Sequence, residues 1–177
     1  DVYKRQPAYL RFVKGIVVTQ DIDLNVSREM LQNNPAVTKI SKSLVGKILR
    51  ELKKISEKDK KKYEEFWSQF GQVLKEGLYE DVERKDLLLE LARFSTNEND
   101  TLISLEDYVN GMEKNQKDIY YIAAETQSQA SSSPHLEGFK SKGIKVLIMS
   151  DAIDQFWLSM VGQYLSLIHI SEPTRRR

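Results

Sequence analysis

The sequence predicts a helix-rich α/β protein, and three observations carry that expectation. Apolar residues between Val37 and Phe94 recur every three or four positions, the period of helices that bury one face. Two compact apolar runs at 119–124 and 144–149 are too short for independent helices and rich in β-branched and aromatic side chains, as buried strands are. One helical pattern lies between those runs and another follows the second, which is the order of a small parallel α/β layer.

Taken in order, residues 9–18 read as a strand. Leu10 and Phe12 alternate around Arg11 and lead into a β-branched run, with Gly15 marking a bulge or a close backbone approach. Asn25 and Ser27 are both N-cap types for a short helix through Gln32. Asn33-Asn34-Pro35 ends it, and Pro35 can open the next helix. That helix carries Val37, Ile40, Leu44, Ile48, Leu52 and Ile55. A second carries Tyr63, Phe66, Trp67, Phe70, Val73 and Leu74, and a third Leu87, Leu88, Leu91 and Phe94. Three amphipathic helices in series must pack on one another to hide those stripes. Ser104 with Asp107 three residues on has the spacing of a capping box. Pro134 opens the helix between the two buried strands, Gly143 caps it, and residues 151–160 form the last helix.

Both ends read as foreign sequence. Residues 1–6 translate a transposon end used in tagmentation libraries, and residues 165–175 translate its reverse complement running into a library adapter. They are expected to be poorly determined or to dangle, with the apolar 165–170 stretch left open to extending the last helix by chance, leaving residues 7–164 as the informative protein. This changes the charge balance. The chain has 27 basic and 26 acidic side chains; without Lys4, Arg5, Arg175, Arg176, Arg177, Asp1 and Glu172 it has 22 and 24, a net charge of −2. That argues against a nucleic-acid partner. No apolar run is long enough to span a bilayer. The absence of cysteine excludes thiolate chemistry, and His135, the one histidine within 7–164, cannot build a triad or a metal site alone.

The segment 24–32, Leu-Asn-Val-Ser-Arg-Glu-Met-Leu-Gln, following Tyr-Leu-Arg-Phe-Val-Lys-Gly-Ile-Val at 9–17, resembles the catalytic loop of the 90-kDa heat-shock chaperones. Further matches are Phe-Trp-Ser-Gln-Phe-Gly at 66–71, Ser-Leu-Glu-Asp-Tyr-Val at 104–109 and Ile-Tyr-Tyr-Ile at 119–122. Ser-Pro-His-Leu-Glu at 133–137 and Gly-Ile-Lys-Val-Leu at 143–147 complete the set. The resemblance covers nearly all of 7–164 and is closest to the bacterial branch.

The resemblance implies a piece of the family's middle segment. Residues 7–57 would end its larger α/β subdomain, 58–103 would be a helical connector, and 104–164 a small α/β/α subdomain. ATP and magnesium would be held by an N-terminal domain absent here, and none by this chain alone. Arg28 would reach that ATP and stabilise charge on the γ-phosphate, with Gln32 one turn on and Asn25 and Ser27 supporting the loop. From spacing alone Arg28 is an ordinary solvated first-turn arginine, and only the full motif reverses that reading. The implied partners are unfolded client proteins, the chain's own N-terminal and C-terminal domains and a second protomer, in the cytoplasm, with no membrane.

Three further groups need weighing. The ring stripe Tyr63, Phe66, Trp67 and Phe70 reads as core, and Lys58, Lys60, Lys61 and Lys62, interleaved with acids, as a solvated face. Gln155, Phe156 and Trp157 stand where the family's matching helix meets clients, although an acidic residue is common where Gln155 stands and the aromatic order differs. Two adjacent aromatics on one amphipathic helix cannot both point fully inward, so one of them is a candidate client contact; the alternative is core packing with contact to the C-terminal domain. The alternative reading, without chemistry, is a non-enzymatic helical adaptor.

Overall fold

A computed structural model describes residues 6–15, 34–165 and 168–172. Helix α1 (Pro35–Lys58) begins as its sequence requires. Asn34 is extended, its side-chain oxygen accepts from the Ala36 N–H at 2.9 Å, and Pro35 takes the first helical position, where no N–H is needed. Its buried positions are Val45, Leu49, Leu52 and Ser56, with Ile48 and Ile55 at the edge. The stripe is turned by about one residue from the expected one, toward the two helices that follow, both of which α1 touches. Asp59 serves both neighbours: its N–H closes α1 on Ile55 and its side chain accepts from the Lys62 N–H to cap α2 (Lys60–Glu80).

The aromatic stripe of α2 lies in the core, as expected. Tyr63 and Trp67 are buried, while Phe66 and Phe70 pack half-buried on Phe12. The Tyr63 hydroxyl donates to the Leu91 carbonyl at 2.6 Å, and burial raises its pKa. After a 3₁₀ turn at Val82–Arg84, α3 (Lys85–Leu91) ends earlier than its apolar spacing suggests. The Arg93 guanidinium donates to the carbonyls of Glu90, Leu91 and Ala92, closing the helix end. Phe94 is therefore extended and bridges Ile103.

The described part of the expected strand at 9–18 is not a strand. Ala8–Leu10 is a 3₁₀ turn laid on α2, and residues 16–18 lie outside the described residues. Tyr9 and Leu10 are both fully buried, whereas consecutive strand residues face opposite ways. Tyr9 donates to Asp81 at 2.7 Å, and Arg11 forms a paired contact with Glu76 at 2.5 and 2.9 Å.

Helix α4 (Leu105–Asn110) carries the expected capping box. Ser104 accepts from the Asp107 N–H at 3.0 Å, and Asp107 accepts from the Ser104 N–H at 3.2 Å. Burial alone would raise the Asp107 carboxyl, but the hydrogen bonds from Ser104 outweigh it and hold the pKa low. The sheet follows. Strands β1 (Ile119–Ala123) and β2 (Leu147–Met149) run parallel, with Tyr121 opposite Leu147 and Ala123 opposite Met149. Between them lie α5 (Gln127–Ser131), a 3₁₀ turn at Pro134–Leu136 and α6 (Glu137–Lys140), closed by Gly143 at φ +68°. Alternation along the strands serves two faces. Val146 and Ile148 join Ala130 and Leu136 on one side, while Ile119, Leu147 and Met149 join the main core with Trp157 on the other.

The chain continues into α7 (Ala152–Met160), β3 (Gln163–Tyr164) and β4 (Ile168–Ser171), giving the order β2-β1-β4-β3. The expectation that residues 165–177 dangle fails for 168–171, which pair parallel with β1 and antiparallel with β3. Ile168 and Ile170 flank His169 in a period of two, and the edge of β1 offers unpaired N–H and C=O groups to any such segment. No described helix is long and apolar enough to cross a membrane.

Candidate functional site

Arg28, Gln32, Asn25 and Ser27 lie outside the described residues. The other predicted group sits on α7, and the helix divides it. Trp157 is fully buried, its ring 6.1 Å from that of Phe94, whereas Phe156 is 57% exposed and Gln155 is exposed. Trp157 is therefore a core residue and not a contact. Adjacent residues point 100° apart on a helix, and the packing of α7 buries the indole while leaving the Phe156 ring outward.

Phe156 does not stand alone. Its ring meets Tyr79 of α2 edge-on, with centroids 6.3 Å apart and planes at 73°. Met160, one turn further along α7, is exposed, as is Tyr79 itself. Tyr79, Phe156 and Met160 thus make a two-helix apolar patch. The sequence reading missed Tyr79 and Met160. Met160 was legible as the fourth residue after Phe156, and Tyr79 as an aromatic lying off the buried stripe of α2.

Beneath this patch lies a buried ionic cluster. Lys75 of α2 is 5% exposed and Asp154 of α7 is 1% exposed. The Lys75 ammonium donates to both Asp154 oxygens, at 2.7 and 3.0 Å, and pairs with Asp151 at 2.6 Å. Asp154 also accepts from the Trp157 indole N–H at 2.7 Å and from the Asp151 N–H at 3.0 Å. Every polar atom of the cluster is satisfied. Its sequence signal was a lysine between Leu74 and Leu78, in register with core positions.

On the other flank of α7 an open cleft lies at the carboxyl ends of β1 and β2. Ala123, Glu125, Ser150, Asp151, Gln155 and Leu158 are among its lining residues. Among the described residues no group of His, Cys, Asp and Glu side chains is placed to hold a metal.

The profile of the Hsp90 protein family matches residues 2–169. The chaperone protein HtpG of Paramagnetospirillum magneticum is 54% identical over 158 residues, covering 89% of this chain and 25% of that protein. HtpG of Roseobacter denitrificans is 48% identical over the same shares, and HtpG of Francisella tularensis subsp. holarctica is 46% identical over 161 residues, 89% of this chain and 26% of that protein. The chain thus spans about a quarter of the length of these relatives. Among solved structures, the middle domain of a Plasmodium falciparum heat shock protein superposes with a TM-score of 0.83 at 29% identity, covering 97% of this chain and 66% of that one. A helix-rich α/β chain with an Hsp90 profile along nearly its whole length and bacterial HtpG relatives at about half identity belongs to the Hsp90 family of chaperones.

Proposed function

We propose that this chain is the middle segment of an ATP-driven, homodimeric folding chaperone and holds unfolded or partly folded client polypeptides on the face formed by Tyr79, Phe156 and Met160. The observation that carries the reading is the placement of Phe156. It is a large ring left 57% exposed on a helix whose neighbouring Trp157 is fully buried. An exposed aromatic braced by a second ring is the usual form of a binding anchor. Gln155, on the flank of α7 that lines the neighbouring cleft, adds an exposed amide. Membership of a chaperone family favours this over a helical adaptor.

In the whole protein, a preceding domain would hold ATP and magnesium and a following one would join two protomers, in the cytoplasm. Arg28 would reach the γ-phosphate and Gln32 would assist it, on a loop supported by Asn25 and Ser27. A planar guanidinium suits phosphoryl transfer, in which positioning and charge neutralisation supply most of the rate. This segment alone hydrolyses no ATP.

Fluorescence anisotropy of labelled, reduced and carboxymethylated α-lactalbumin, a permanently unfolded polypeptide, tests the surface. Phe156→Ala should weaken binding about tenfold, as loss of an anchor does. Undiminished affinity in a folded variant rules the surface out.

A further inference from the structure

We infer that Lys75, with Asp154 and Asp151, is a positioning device that holds α7 in one register against α2 and thereby assembles the Tyr79–Phe156 pair. The inference rests on the client-surface reading and names what builds that surface.

The geometry is specific. Lys75 and Tyr79 are one turn apart on α2, and Asp154 and Phe156 are two residues apart on α7. A contact that fixes Lys75 on Asp154 therefore fixes how far along α2 the Phe156 ring sits. Apolar packing alone tolerates sliding, because one methyl resembles another. A buried ammonium does not, since moving it strands a charge in the core. Here Lys75 has three carboxylate oxygens within 3.0 Å, two of them on Asp154, and its Nζ lies 5.5 Å from the centre of the Phe94 ring. Asp154 has no free lone pair to offer a different partner, because the Trp157 indole and the Asp151 N–H occupy the remainder.

Burying such a cluster contributes little net stability compared with well-packed apolar groups of the same size. Its best-attested use is the selection of one arrangement among several of similar energy. In this fold that arrangement is the one that seats the Phe156 ring edge-on to Tyr79. The client surface is then composite, with one ring from each helix, and it exists only while the charges are paired.

The test uses the complete chain with Lys75→Met and Asp154→Asn combined, which removes both charges and leaves an acceptor for the indole. Two quantities are read: the nuclear Overhauser effect between the Tyr79 and Phe156 rings in the free protein, and the affinity for labelled, carboxymethylated α-lactalbumin. The expected result is loss of the ring–ring signal and about tenfold weaker binding, after which Tyr79→Ala costs no more affinity, as for contacts that act as a unit. Leu136→Ala, in the separate cluster on the far face of the sheet, should lower stability yet keep both signals; if it loses them too, the effect is general loosening and the inference falls. Should the double variant fail to fold, Asp151→Asn removes only the half-exposed partner and should weaken binding about threefold. A ring–ring signal and affinity that survive in the folded variants overturn the device. Failure of the client reading would look different: Phe156→Ala would bind normally in the unaltered chain, while the ring–ring signal would still respond to the charges.

Discussion

Gly77→Ala separates two accounts of the chain's first described residues by sign. Gly77 is helical and lies in the last turns of α2. Were residues 9–15 a strand lying elsewhere, alanine there would add up to about 1 kcal/mol of helix propensity. In the structure a Cβ at Gly77 would come within 2.8 Å of Cδ2 of Tyr9, 2.9 Å of its Cγ and 2.9 Å of a Leu88 methyl. The methyl can swing away, but the Tyr9 ring is tied to Asp81 by its hydroxyl at 2.7 Å. Overpacking of this kind costs about 1–3 kcal/mol, and displacing the ring forfeits a hydrogen bond worth about 1 kcal/mol. The net expectation is a loss of about 1–3 kcal/mol, or a fall in melting temperature of about 2–12 °C for a chain of this size. Urea denaturation of Gly77→Ala, Tyr9→Ala and the pair measures it. With Tyr9 removed the same glycine substitution should become neutral or stabilising. A stabilised Gly77→Ala in the unaltered chain refutes the packing of Tyr9 on α2.

Four further outcomes follow from the fold and the proposed function. In a full-length protein carrying this segment, Arg28→Ala should lower ATP turnover by roughly 10³ or more while leaving equilibrium nucleotide affinity unchanged; unaltered turnover removes Arg28 from the mechanism. Truncation after Tyr164 should lower stability by about 1–2 kcal/mol, because β4 covers the edge of β1 with two half-buried isoleucines; an unchanged denaturation midpoint shows that the strand contributes nothing. Ser104→Ala should cost about 1 kcal/mol by opening the α4 cap, measured by the same denaturation. The hydrogen bond from Arg11 holds the Glu76 carboxyl below its ordinary pKa, so its stabilisation is full above the unfolded value near about 4.3 and disappears as pH falls through the lower folded value. The pair is partly exposed and screening limits the effect to less than about 1 kcal/mol; Glu76→Gln should flatten that part of the pH profile.

The helices, strands β1 and β2 and the parallel pairing of those two were legible because each has a strong local signature. Asn34-Pro35 fixes one helix start, Ser104 with Asp107 another, and β1 and β2 are apolar on both faces because both faces are covered. What was not legible depended on tertiary partners. Leu10 and Phe12 alternate around Arg11 like a strand, yet the turn at Ala8–Leu10 packs on α2 and buries the adjacent Tyr9 and Leu10 together. Phe94 continues a helical spacing that Arg93 ends. Residues 168–171 have a strand pattern, but only the open edge of β1 gives it meaning. At the candidate site the sequence singled out Gln155, Phe156 and Trp157, and the structure buries Trp157 and exposes the other two. Which ring faced inward was decided by Asp154, which binds the Trp157 indole, and by Lys75 beneath it. Tyr79 belonged to a different helix and could join the patch only through that packing.

Photocrosslinking tests the client surface most directly. A benzophenone side chain in place of Met160, beside Phe156, should capture labelled, carboxymethylated α-lactalbumin in the complete chain. The same group in place of Glu64, on the exposed face of α2, should not. Strong capture at 160 with background at 64 is the predicted result. Equal capture at the two positions, or none at 160, would contradict the assignment of this face to client binding.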